Sequence, residues 1–143
     1  MKKLRRTQLA GLAVIGASAL LAVPALASSS HAVVTIRHQM RGCHSWSVNG
    51  GAYRASQSVT IARGGTLKVV DNDVMPHKLV QVSGPKVAIL RAAMAHMSAF
   101  ASVHFTKAGV YTFTTKPGED YKWAGKMKTT GEDNVLRLKV KVA

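Results

Sequence analysis

The chain is poor in the groups on which most small catalysts depend. Its 143 residues hold one cysteine, six acidic side chains, two Trp, three Tyr and three Phe. One cysteine cannot close an internal disulfide. Six carboxylates leave little for paired-carboxylate hydrolysis, and little for Mg²⁺ or Ca²⁺, which take oxygen ligands. There is no Cys-x-x-Cys pair of the zinc type, no phosphate-binding glycine loop and no Gly-x-Ser-x-Gly elbow. After residue 27 no apolar run approaches the roughly 18 residues that a membrane-spanning helix needs. The length favours a single domain and excludes a two-domain enzyme.

Positive charge, in contrast, is plentiful: 20 Lys and Arg against 6 Asp and Glu, a formal net charge of +14. Four of these bases, Lys2, Lys3, Arg5 and Arg6, precede an apolar, small-residue stretch from Leu9 to Leu26. Ala25-Leu26-Ala27 is an A-x-A pattern, with Ser28-Ser29-Ser30 behind it. This reads as a secretory signal peptide over 1–27 and one domain over 28–143. Pro24 and the A-x-A site favour cleavage over a retained anchor, while Arg5-Arg6 leaves the export route open. The expected location is secreted, periplasmic or on the cell-envelope exterior. The other bases are dispersed, among them Arg37, Arg54, Arg63, Lys68, Lys78, Lys86, Arg91 and Lys107, and no nucleic-acid motif accompanies them. They predict a solvated basic surface with affinity for an anionic envelope polymer rather than for nucleic acid.

Beyond residue 27 the hydrophobic pattern has period two. Val33–His38, Ser58–Ala62, Thr66–Val70, Lys78–Val82, Val103–Thr106, Val110–Thr114 and Val135–Val142 each read as a strand. Gly64-Gly65 reads as a tight turn between two of them, and Asp71-Asn72-Asp73 as turn chemistry. About seven short strands predict an all-β, antiparallel Greek-key β-sandwich. The exception is 87–100, whose Ala, Leu and Met content is compatible with a short helix or ordered loop inserted between strands.

The chemistry-bearing residues are soft and borderline ligands placed in loops. Cys43-His44 follows the first strand, with His38 and Met40 upstream. Met75-Pro76-His77 opens the fourth, and Met94-x-His96-Met97 lies in the inserted segment. Thiolate, imidazole and thioether together suit Cu(I), or Cu(II) in a constrained site. A leftover cysteine in an exported chain points to an intermolecular bridge or to a thiol kept for chemistry.

Three segments resemble the cupredoxin family. Asp71-Asn72-Asp73-Val74-Met75-Pro76-His77-Lys78-Leu79-Val80 is similar to its Asn, turn, Pro-His and strand segment, whose His is the first copper ligand. Phe105-Thr106-Lys107-Ala108-Gly109-Val110-Tyr111-Thr112-Phe113 is similar to its F-x-x-x-G-x-Y-x-F hairpin. Ile61–Val69 resembles the strand, glycine turn and strand that come before. The resemblance covers 33–142 and implies a copper-binding protein that works with a redox or copper-exchange partner. It also implies Cys and then His after the final hairpin. Those positions fall on Thr115 and Gly118, so only His77 carries over, and a blue-copper site with its Cys in that loop is ruled out.

The fold so implied brings the Cys43 loop to the same end as His77. A relocated site then draws on Cys43 and His77, with His44 or the side chains of His96 and Met97. Glu119 or Asp120 serves as an oxygen ligand or as an acceptor for a ligating His. The function expected is copper-based electron transfer or copper handling, without an enzymatic step. The alternative is a metal-free module that contacts an anionic polymer or a partner protein.

Overall fold

A computed structural model describes residues 28–38, 44–117 and 136–143. The proposed leader 1–27, Cys43, Glu119 and Asp120 lie outside the described residues. The described residues form nine strands: β1 Ser29–His38, β2 His44–Val48, β3 Ser56–Asn72, β4 His77–Ser83, β5 Ile89–Leu90, β6 Ala93–Met94, β7 Phe100–His104, β8 Gly109–Pro117 and β9 Arg137–Val142. Among the described residues there is no helix, and none is long and apolar enough to cross a membrane.

The strands join into one hydrogen-bonded sheet, with β3 as its spine. The first half of β3, Ser56 to Ile61, pairs with β9, which continues to β8, β4 and β6. Its second half, Thr66 to Asn72, pairs with β1 on one side and β7 on the other. A single cluster of buried apolar side chains fills the space between the two halves. Val34 and Ile36 of β1, Leu67 and Val69 of β3 and Val103 of β7 come from one half. Leu79 of β4, Tyr111 and Phe113 of β8, and Leu138 and Val140 of β9 come from the other. Period-two alternation produces this directly, because successive strand side chains point to opposite faces. In β9 the apolar residues are all buried and the cationic ones all exposed.

Two expectations are corrected, and one left open is decided. Gly64-Gly65 does not close a hairpin. It lies inside β3, where that strand leaves one half of the sheet for the other, tied by Gly64 N–H to the Phe105 carbonyl (2.7 Å) and Phe105 N–H to the Gly65 carbonyl (3.0 Å). The sandwich is mixed rather than purely antiparallel: β3 pairs with β1 and with β9 in parallel. Finally, 87–100 is not helical. Ile89–Leu90 pairs with β7 and Ala93–Met94 with β4, while Arg91 and Ser98 take positive φ values of 54° and 70°. Single residues in that region interrupt a helix; the ordered-loop alternative is the one the segment follows.

The aromatic hairpin packs as its spacing implies. The Phe105 ring lies 4.8 Å from that of Tyr111 and 6.3 Å from that of Phe113. Tyr111 Oη donates to the Lys107 carbonyl at 2.7 Å, bracing the turn before Gly109.

Candidate metal centre

The centre forms where the β1–β2 hairpin meets the turn between β3 and β4. In the hairpin the last antiparallel pair is His38 opposite His44, and directly opposed residues share a face. Their rings stand 6.2 Å apart, edge to face. The β3–β4 turn is organised by aspartates. Asp73 N–H donates to Asp71 Oδ1 (3.0 Å), and Met75 N–H donates to Asp73 Oδ1 (3.2 Å). These side chain-to-backbone bonds are characteristic of Asx turns. They aim the second oxygen of Asp73 into the sandwich, where His44 Nδ1 lies 3.0 Å and His77 Nε2 3.4 Å away. Asp73, His44 and His77 are all buried, and the two imidazoles meet at 4.9 Å with nearly perpendicular planes.

The two aspartates are pushed in opposite directions. Burial raises the Asp71 carboxyl to about 6, against the Asp73 N–H that bonds it, and the neighbouring Asp73 charge adds to the rise. Burial alone would raise Asp73 as well. Hydrogen bonds from His44, the Met75 N–H and His77 outweigh it and hold Asp73 below its usual value. Asp73 is therefore a carboxylate and can only accept. It follows that His44 donates through Nδ1 and His77 through Nε2. A neutral His44 then carries its lone pair on Nε2, a buried atom with no hydrogen-bond partner among the described residues. An imidazole whose other N–H is anchored on a carboxylate is the usual presentation of a metal-ligating histidine. The residues present thus fit a transition metal at this end of the sandwich.

Of the residues singled out in the sequence, the structure brings His44 and His77 together. His96 and Met97 sit on the 91–100 segment and are exposed. His96 Nδ1 faces the Met97 carbonyl at 2.9 Å, and its ring lines a cleft of about 560 Å³ with Arg91, Ser98 and Phe100. The methionine opposite His77 in the β4–β6 register is instead Met94, which is fully buried. Thr115, at the position where the family resemblance implies Cys, is buried opposite Leu79. Two residues were not singled out as ligands: Asp73, read as turn chemistry alone, and His38, noted only as lying upstream of Cys43. The signal for Asp73 was its spacing of four from His77 across a proline turn.

No protein-family model matches the sequence, and no curated protein matches it. Among solved structures the chain is similar to a reduced Cu(I) form of an amicyanin variant, with 17% identity over 82% of this chain and 87% of that one and a TM-score of 0.44. It is also similar to amicyanin from Paracoccus versutus (21% identity; 85% of this chain, 86% of that one; TM-score 0.41). A purple cupredoxin from Nitrosopumilus maritimus gives 13% identity over 78% of this chain and 98% of that one, with a TM-score of 0.44. At such values the likenesses carry no residue role to this chain. The described fold is an all-β sandwich with mixed strand pairing, and the three segments that resemble the cupredoxin family lie on β3, on the β3–β4 turn with β4, and on the β7–β8 turn with β8.

Proposed function

We propose that this chain is an exported copper-binding protein whose site lies at the His44–Asp73–His77 end of the sandwich. It serves electron transfer or copper handling with a protein partner and carries out no catalysis of its own. The observation that supports this most is the buried Nε2 of His44, which has no hydrogen-bond partner among the described residues and is presented by a hydrogen bond from Nδ1 to the Asp73 carboxylate. When bound, copper would supply a one-electron couple or a transferable cargo. The residues assigned to hold it are His44 and His77, with Cys43, next to His44 in sequence, as the thiolate that favours Cu(I). Asp73 orients both imidazoles. His96, Met97, Glu119 and Asp120 are outer candidates.

The test is a chelator-competed copper titration of the full chain beside Cys43→Ser and His77→Ala, with visible spectra and a melting curve for each. One tight equivalent in the parent, weakened about tenfold or more in both variants, is the expected result. A thiolate-to-Cu(II) absorption band assigns electron transfer, and binding of Cu(I) alone assigns copper handling. Absence of tight copper in the parent overturns the reading. It would leave the second one, a metal-free module in which His44 and His77 do no more than satisfy Asp73. That alternative draws support from the formal net charge of +14.

A further inference from the structure

The exposed histidine that closes the β1–β2 hairpin has no part in that reading, yet it completes a second set of donors. We propose that His38, His44 and Asp73 form a site for a divalent borderline cation, Zn(II) or Cu(II), that needs no thiol. One ligand atom from each of the three lies within 4.8 Å of the others. A tetrahedral ion with N and O bonds of roughly 2.0–2.2 Å draws such atoms to a little over 3 Å from one another. His44 Nδ1 and Asp73 Oδ2 are already 3.0 Å apart. His38 is exposed, so its ring has room to swing the remaining distance.

Charge argues in the same direction. Asp73 is a fully buried carboxylate in a strongly basic protein, yet its only ion-pair partners among the described residues are two imidazoles, with no Lys or Arg. Buried carboxylates are ordinarily paired with a cation or bound to a metal. Two imidazoles and one carboxylate suit Zn(II) and Cu(II) and are poorly matched to Cu(I), which prefers sulfur. Three protein ligands leave a coordination position open. Because His38 lies at the rim, the ion would exchange with solvent rather than be locked in as a structural metal. The ion takes His44 Nδ1 and Asp73 Oδ2 directly and so displaces the Nδ1 proton that the copper reading keeps on Asp73. The site depends neither on Cys43 nor on His77 as a ligand, so the two arrangements are alternatives at one end of the sandwich that the titrations tell apart.

The experiment is calorimetric titration of full-chain Cys43→Ser with Zn(II), and electron paramagnetic resonance of the same protein with one equivalent of Cu(II). His38→Ala and His104→Ala are each added to the Cys43→Ser background. His104 is an exposed histidine outside the group and controls for adventitious surface binding. The expected outcome is one Zn(II) per chain and a Cu(II) spectrum with nitrogen couplings. Both should persist in His104→Ala, while His38→Ala binds Zn(II) at least about tenfold more weakly with an unchanged melting curve. Loss of Zn(II) binding in Cys43→Ser itself overturns the inference, as does a His38→Ala variant that binds like its parent or a His104→Ala variant that weakens as much. Zn(II) failure with tight copper in the wild type would leave the proposed function intact, and Zn(II) binding with copper affinity unchanged by Cys43→Ser and His77→Ala would leave only the thiol-free site.

Discussion

Asp71 and Asp73 stand two residues apart and hold opposite protonation preferences, and that contrast can be measured. The Asp71 carboxyl is raised to about 6 by burial, partly opposed by the Asp73 N–H. Between its ordinary value and about 6 the native state therefore holds a proton that the unfolded chain has released. Stability attributable to Asp71 falls as pH rises through that window, and the penalty is complete above it. Asp73 is lowered, so its contribution is present above the ordinary carboxylate range and is lost as pH falls through its native value. In metal-free buffer, Asp71→Asn should remove the Asp71 part of the slope while its side-chain oxygen still accepts the Asp73 N–H. Urea unfolding at intervals from pH 4 to pH 7 is the measurement. The parent should lose on the order of 1 kcal/mol more than the variant over that interval, allowing for solvent screening, and parallel profiles would dismiss Asp71 as the cause. These same residues show how far the site was readable in advance. His44 and His77 stand out by residue type, but Asp73 looks like an ordinary turn former. It is one, through Oδ1, while Oδ2 binds imidazoles, one of them 29 positions away. His38 joins only through hairpin register, which composition does not determine.

At the scale of the elements, β3 decides the architecture, and Gly65 is where it is most tightly constrained. A Cβ built there would stand 2.5 Å from Ile61 Cγ2 and 2.7 Å from the carbonyl oxygens of Ala62 and Ser30. Backbone oxygens cannot step aside as a flexible side chain would. Gly65→Ala is thus expected to destabilise by about 1–3 kcal/mol, read as a lowered urea midpoint. Gly64 has a positive φ of 84° but open space around it, so Gly64→Ala should cost about 1–2 kcal/mol, the left-handed backbone cost alone. A Gly65→Ala midpoint equal to that of the parent would show that the crossing is not close-packed. The strands themselves were legible because alternation marks a half-buried pleated surface, and β9 is its plainest instance. Two things were not. Whether Gly-Gly turns the chain back or lets it cross between sheet halves depends on partners elsewhere, here β9 for the first half of β3 and β1 with β7 for the second. In 87–100 the Ala, Leu and Met content is compatible with a helix; the pairing of Ile89 with Val103 and of Ala93 with Lys78 makes it an ordered, strand-paired loop.

For the whole molecule the dominant quantity is charge. The formal excess is +14, and the two carboxylate side chains among the described residues, Asp71 and Asp73, are both buried. On β9 the exposed Arg137, Lys139 and Lys141 alternate along the strand, opposite Ser56, Ser58 and Thr60 of β3 in register. This gives a row of cations beside a row of hydroxyls. Such a face attracts polyanions with little regard to sequence or shape, and the attraction weakens as the Debye length falls from about 10 Å at 0.1 M salt to about 3 Å at 1 M. On a heparin column the full chain should be retained at low salt and released by a sodium chloride gradient below about 1 M. Lys139→Glu combined with Lys141→Glu should elute clearly earlier, because each change reverses one charge on the row. Elution that does not respond to salt would mean that the contact is not electrostatic. If the double variant eluted with the parent, the contact would belong to another basic surface of the chain. The cations of that face stand on β9, which supplies none of His44, Asp73 and His77. Copper or zinc loading should therefore leave the elution position of the wild type unchanged, and a metal-dependent shift would show that the two are coupled.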